Sequence, residues 1–183
     1  MSGLEVDIDV AKLKKLAKQF DVVGPNLHAA FKRAIKRTAA TLRKKSSKGL
    51  QSELDLRSTK ALRKRIKELH IKADREGYAG GLWYGLNDLP VSAFKGRPKR
   101  VLGGAEFRGV KFPGGFIRKN SAGKLTIFKR KDSGRLPIIE QTMPVKDQME
   151  IYVEDQVFED IEAIFYHHLI PDLKYRALIG KQK

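Results

Sequence analysis

An α+β fold, with N-terminal helices, a central antiparallel β-sheet and a long C-terminal helix, is what the residue pattern predicts. Two observations carry that prediction. Apolar residues recur at spacings of three and four before residue 75 and again after residue 144, as they do along helices that bury one face. Between Gly77 and Ser133, glycine, aromatic and β-branched residues displace this Ala, Lys and Leu pattern, which reads as strands and turns. With no internal repeat, the 183 residues form one domain in three parts: a basic helical part over 1–75, a sheet part over 76–143 and C-terminal helices over 144–183.

A short helix is predicted over Val10 to Phe20, where Leu13, Leu16, Ala17 and Phe20 share a face and Asp9 caps the start. Gly24-Pro25-Asn26 breaks the chain, and Asn26 is suited to open a long helix. Leu27, Phe31, Ala34, Ile35, Thr38 and Leu42 line one side of it, with lysines and arginines on the rest, until Ser46-Ser47-Lys48-Gly49 ends it. Ser58 or Thr59 caps a third, very basic helix with Leu62, Ile66 and Leu69 as its stripe. In the sheet part, Leu82-Trp83-Tyr84 reads as one strand and Phe107 to Phe112 as another. Phe116 to Arg118 with Lys124 to Lys129 forms a hairpin closed by Asn120-Ser121-Ala122-Gly123. The span from Leu89 to Gly104 has no period, and its prolines and glycines predict a long exposed loop. Pro144 precedes a last long helix with Met149, Val153, Val157, Ile161, Ile164, Phe165 and Leu169 on one side, and Pro171 kinks or restarts it.

The formal net charge is +17, enough to repel other copies and attract polyanions or acidic proteins. Its distribution is uneven. Residues 31–75 hold sixteen Lys and Arg against Glu53, Asp55, Glu68 and Asp74, whereas residues 147–173 hold eight acids and no Lys or Arg. The absence of Cys excludes disulfides, thiolate metal sites and Cys nucleophiles, and fits a reducing cytosol. Acidic residues near Met1 argue against a secretory leader, and no run approaches the roughly 20 apolar residues of a membrane span.

Candidate chemistry is sparse. His28, His70, His167 and His168 form no H-E-x-x-H pattern, and neither Gly103-Gly104 nor Gly114-Gly115 sits in a phosphate-loop string, so both pairs read as turns. Asp172-Leu173-Lys174 faintly resembles the D/E-x-K element of metal-dependent nucleases, without the further carboxylates near a strand end that such a site needs. No enzyme activity, metal or cofactor is expected. The basic segments are the stronger signal, because crowded Lys and Arg are the footprint of a polyanion binder. Arg33, Arg37, Arg43, Lys44, Lys45, Arg63, Lys64 and Arg65 are the candidates for contact with DNA phosphates or with an acidic protein surface. No aromatics interleave with these eight, so base stacking is not indicated there. Glu154, Asp155, Glu159, Asp160 and Glu162 form the opposite candidate face, which either meets the next copy of the chain head-to-tail or packs within the same molecule.

Several segments in order resemble the prophage minor tail protein Z family of tailed bacteriophages. Ala34-Ile35-Lys36-Arg37-Thr38-Ala39 is similar to the family's early A-x-N-R-x segment, with Lys36 where Asn is usual. The basic Thr59 to Lys67 and an alternating stretch to Gly85-Leu86-Asn87 follow. Pro113-Gly114-Gly115-Phe116-Ile117 is a variant of the family's P-G-A-F-I, with Gly115 in place of Ala; the strand Lys124 to Arg130 and Leu136-Pro137-Ile138 come next. Met143-Pro144 with its helix, then Leu169-Ile170-Pro171 before Leu173 to Leu178, extend the resemblance over about residues 26–178. It implies a virion structural protein of the tail-completion type, assembled in the host cytoplasm. Such a protein sits at the head-proximal end of the tail as a homo-oligomeric, six-fold ring. Its neighbours are the tail terminator and neck or connector proteins, and genomic DNA passes through its channel. The alternative from another class is a free cytosolic nucleic-acid-binding protein using the same basic surface.

Overall fold

The computed structural model describes residues 2–6, 15, 16, 18–68, 72, 73, 78–157 and 159–180. Their architecture is α+β. Helix α1 (Gly24–Glu53) runs for 30 residues and buries Ala30, Phe31, Ala34, Ile35, Thr38, Leu42, Ser46 and Leu50, a stripe at the three- and four-residue spacing of one helix face. Of the short helix expected before it, residues 15, 16, 18 and 19 are helical and residues 10–14 and 17 lie outside the described residues.

Both ends of α1 differ from expectation. It begins at Gly24, with Pro25 in the first turn where a missing N–H costs nothing. Asn26 is not the cap; its side-chain oxygen accepts a hydrogen bond from Arg176 at 3.3 Å. The helix also continues through Ser46-Ser47-Lys48-Gly49. Ser46 is satisfied inside the helix by the Leu42 carbonyl at 2.8 Å and the Tyr84 hydroxyl at 2.7 Å. Beyond it Leu50 and Leu54 are buried, which rewards another turn and a half.

Among the described residues, twelve strands form four small antiparallel sheets instead of one. β1 (Ser2–Val6), β2 (Ile66–Glu68) and β3 (Lys72–Ala73) all pair with β4 (Tyr78–Tyr84). β5 (Leu89–Pro90) pairs with β12 (Thr142–Met143). β6 (Lys99–Val101), β7 (Gly104–Phe107) and β8 (Val110–Pro113) make a third sheet, and β9 (Phe116–Lys119), β10 (Leu125–Arg130) and β11 (Ile138–Glu140) a fourth. The β9–β10 hairpin closes as expected: Asn120 Oδ1 accepts from the backbone of Ala122 and Lys124, and Gly123 takes φ +73°.

Three further expectations are corrected. No helix follows Ser58: a 3₁₀ turn at Thr59–Ala61 and a tight turn lead into β2. Leu62 and Ile66 are fully buried as their spacing requires, but β4 offers Ile66 a strand partner opposite Tyr84, and that tertiary pairing overrides the helical period. Leu69 lies outside the described residues. The stretch Phe107 to Phe112 is not one strand, because Arg108 and Gly109 both take positive φ and turn the chain back from β7 into β8. Residues 89–104 are not an exposed loop. Leu89, Val91 and Phe94 enter the core, and Leu56 bridges to Phe94.

The C-terminal stripe is real but belongs to two helices, α2 (Lys146–Gln156) and α3 (Ile161–Gly180). Met149, Val153 and Val157 join the main core with the strands, whereas Phe165, Leu169 and Leu173 join a second core with Ala30, Phe31, Ala34 and Ile35 of α1. The break lets one stripe serve two cores. Pro171 does not end α3: it is exposed, and the buried Leu169, Asp172 and Leu173 on either side hold the helix against α1. Among the described residues no helix is long and apolar enough to cross a membrane.

The β8–β9 turn has a local steric constraint. Gly114 takes φ +70° and donates to Gly103 O at 2.8 Å, while a Cβ on Gly115 would lie 2.8 Å from Phe112 O and 2.9 Å from Ile127 Cγ2. Glycine is therefore the residue that fits where the resembled family has alanine. Gly115→Ala is expected to destabilise the protein by about 1–3 kcal/mol, read as a lower urea midpoint at unchanged slope.

Candidate functional site

The eight basic candidates divide into two groups. Arg33 donates to Asp172 at 3.0 Å, and Arg176 reaches the other carboxylate oxygen at 3.3 Å, so Asp172, with a side chain only 5% exposed, ties α3 to α1. Lys45 pairs with Asp160 at the start of α3. Arg65 donates to the backbone carbonyls of Asn87 and Asp88, holding the turn before β2 to the segment after β4. These three cations fasten the fold. Arg37 and Lys64 are exposed, whereas Arg43, Lys44 and Arg63 line a single concavity between α1 and the 3₁₀ turn.

The acidic candidates also separate. Asp160 is spent on Lys45, and Glu162 stands in the first turn of α3, where the helix dipole favours a negative charge. Glu154 and Asp155 on α2 and Glu159 in the turn after it are exposed and make no ion pair among the described residues. Part of this face is thus intramolecular, and part is left to solvent. The Lys45–Asp160 pair, both side chains being about two-fifths exposed, contributes at most roughly 1 kcal/mol.

The motif Pro113-Gly114-Gly115-Phe116-Ile117 is the β8–β9 connection. Ile117 faces the main core, while Phe116 is half-buried and stacks on Phe128 with ring centroids 6.3 Å apart. Strand register puts Phe116 opposite Phe128 and Arg118 opposite Thr126, so Arg118 and Arg130 share the face of the two rings. This face, on which Glu140 also lies opposite Phe128, is hidden in the sequence because its members alternate along strands and meet only across the ladder. The signal is present: residues 95–135 hold thirteen Lys and Arg against Glu106 and Asp132. One of them, Arg108, is structural. It donates to Leu54 O, Asp55 O and Lys95 O and lies over the rings of Phe94 and Phe107.

The remaining candidates are accounted for by packing. Asp172 is held between two guanidinium groups within the α1–α3 contact. The His167 and His168 rings meet edge to face at 5.4 Å, and His168 shares a 3.0 Å hydrogen bond with Thr41 Oγ1. Burial, then the neighbouring His167 and Arg37, hold its pKa below the usual histidine value. His70 lies outside the described residues. Among the described residues no three His, Cys, Asp or Glu side chains gather as a metal site requires.

The division of the cations is open to measurement. Asp172→Asn is expected to cost about 2 kcal/mol in urea unfolding, because Arg176, with a side chain 13% exposed, loses its charged partner. Arg33→Ala costs less, since Arg33 is half exposed and Asp172 keeps Arg176. Arg37→Gln stays within about 0.5 kcal/mol of the parent. No protein-family model, curated protein or solved structure matches the chain.

Proposed function

We propose that this chain is a structural component of a tailed-phage virion, a minor tail protein of the tail-completion type, that assembles as a homo-oligomeric ring at the head-proximal end of the tail. The observation that favours the reading is the presence of an exposed basic set and an exposed acidic set on one subunit. Exposed Lys32, Lys36, Arg37 and Lys44 cover the outer side of α1, and exposed Glu154, Asp155 and Glu159 cluster on α2 and the turn after it. Unlike faces on one subunit favour head-to-tail contacts, which close into a ring when the rotation permits. Basic surface turned toward a channel favours the passage of DNA phosphates.

The ordered resemblance over about residues 26–178 supports a position for this assembly beside the tail terminator and the neck or connector proteins. In this reading the protein carries out no catalysis and holds no cofactor. The thirteen cations of residues 95–135 favour a second reading, a free cytosolic nucleic-acid-binding protein.

Genetics separates the two. A phage whose copy of this gene carries an early stop codon is expected to accumulate DNA-filled heads and unjoined tails in the lysate, with infectivity restored by supplying the chain in trans. Normal joined particles from that mutant would rule out the tail role and leave the nucleic-acid binder.

A further inference from the structure

The third basic helix expected from sequence is instead a 3₁₀ turn and a tight turn, and this change creates a cavity. Ala40, Arg43, Lys44 and Ser47 lie at i, i+3, i+4 and i+7 on α1, hence on one face. The turn brings Thr59 and Arg63 against that face, and the six residues line a concavity of about 340 Å³. Three of the six are cations, two carry hydroxyl groups, and none is acidic.

The walls are anchored from below. Leu42 and Ser46 on α1 are buried, as is Leu62 between Thr59 and Arg63, so the lining positions are set by the main core on both sides. Arg43 and Ser47 are half-buried, and Lys44 and Arg63 are exposed, so two charged side chains of the lining are accessible to a ligand. Ala40 adds a small apolar side chain to the lining.

Lys44 and Arg63 are exposed and bring two positive charges to one concavity, which attracts an anion. Guanidinium groups offer paired N–H donors matched to two oxygens of a tetrahedral anion, an ammonium adds a point charge, and hydroxyls supply further donors. We propose that this cleft is a phosphoryl-group site that receives a backbone phosphate of DNA. The site locks the register of the nucleic acid on α1, while Lys32, Lys36 and Arg37 farther along the helix contribute unspecific attraction. The proposal does not rest on the tail assignment, since either reading of the function brings the chain to DNA.

The test compares two charge-matched double variants of the full chain, checked first for an unchanged urea midpoint. Lys44→Gln with Arg63→Gln empties the cleft of two cations, and Lys32→Gln with Lys36→Gln removes the same charge from α1 outside the cleft. Inorganic phosphate binding is followed by the ³¹P line width, and binding of a short fluorescent DNA duplex by anisotropy at one fixed salt concentration. The cleft variant is expected to weaken both ligands by roughly tenfold or more. The control variant is expected to leave phosphate unchanged and to weaken duplex binding less.

Equal losses in the two variants would overturn the proposal in favour of a general electrostatic field. Phosphate binding that depends on the cleft without any cleft effect on the duplex would overturn DNA as the source and assign a free phosphate ligand. If both ligands bind the cleft variant as they bind the parent while sedimentation shows its self-association lost, a carboxylate of a second copy fills the cleft, and the phosphoryl site is overturned.

Discussion

The continuity of α1 is the constraint on which the other elements depend. Thirty residues at 1.5 Å each span about 45 Å, and one apolar stripe runs the whole way. Its first half, Ala30 to Ile35, is covered by Phe165, Leu169 and Leu173 of α3; its second half, from Leu42, is covered by the strands and α2. Within the second half, one turn past Leu42, the buried Ser46–Tyr84 hydrogen bond fixes the rotation of the helix against β4. Burial pushes the Tyr84 hydroxyl up to about 12, so it remains protonated at neutral pH and the bond persists. Once that rotation is set, every cation on the other side of α1 has its direction fixed as well.

This dependence explains which parts of the fold were legible in the sequence. α1 could be read because its stripe is long and eight Lys and Arg, from Lys32 to Lys48, fall outside that stripe, so the period is unambiguous. The β9–β10 hairpin could be read because Asn120 and Gly123 have few other uses. Leu62 and Ile66 are buried as their spacing indicates, but a spacing of four satisfies a turn followed by a strand as well as a helix. Only β4, distant in sequence, decides between them. Residues 89–104 looked polar and irregular because their few apolar side chains, Leu89, Val91 and Phe94, insert singly from short elements that leave no period. The division of the last helix was invisible because the stripe carries on through it while the core it faces changes.

The same reasoning applies to the charges. Composition identified a basic segment and an acidic one, but it could not tell a cation that fastens two elements from one that faces solvent. Arg33, Lys45 and Arg65 belong to the first kind, and each joins segments far apart in sequence. Lys44 and Arg63 belong to the second, and they converge with Arg43 only because the expected third helix is a turn. The Phe116–Phe128 pair with Arg118 and Arg130 was hidden for a related reason: its members alternate along strands and meet across the ladder.

On the proposed reading, the exposed basic helix and cation-lined cleft would meet DNA and the exposed acidic turn would meet the next copy, so that a ring around a DNA channel would use both at once. Mass spectrometry of purified virions, with heads and tails separated, tests that account most directly. The chain is predicted to travel with the tails at several copies per particle. Finding it only in the infected-cell lysate, and in neither heads nor tails, would contradict the structural role.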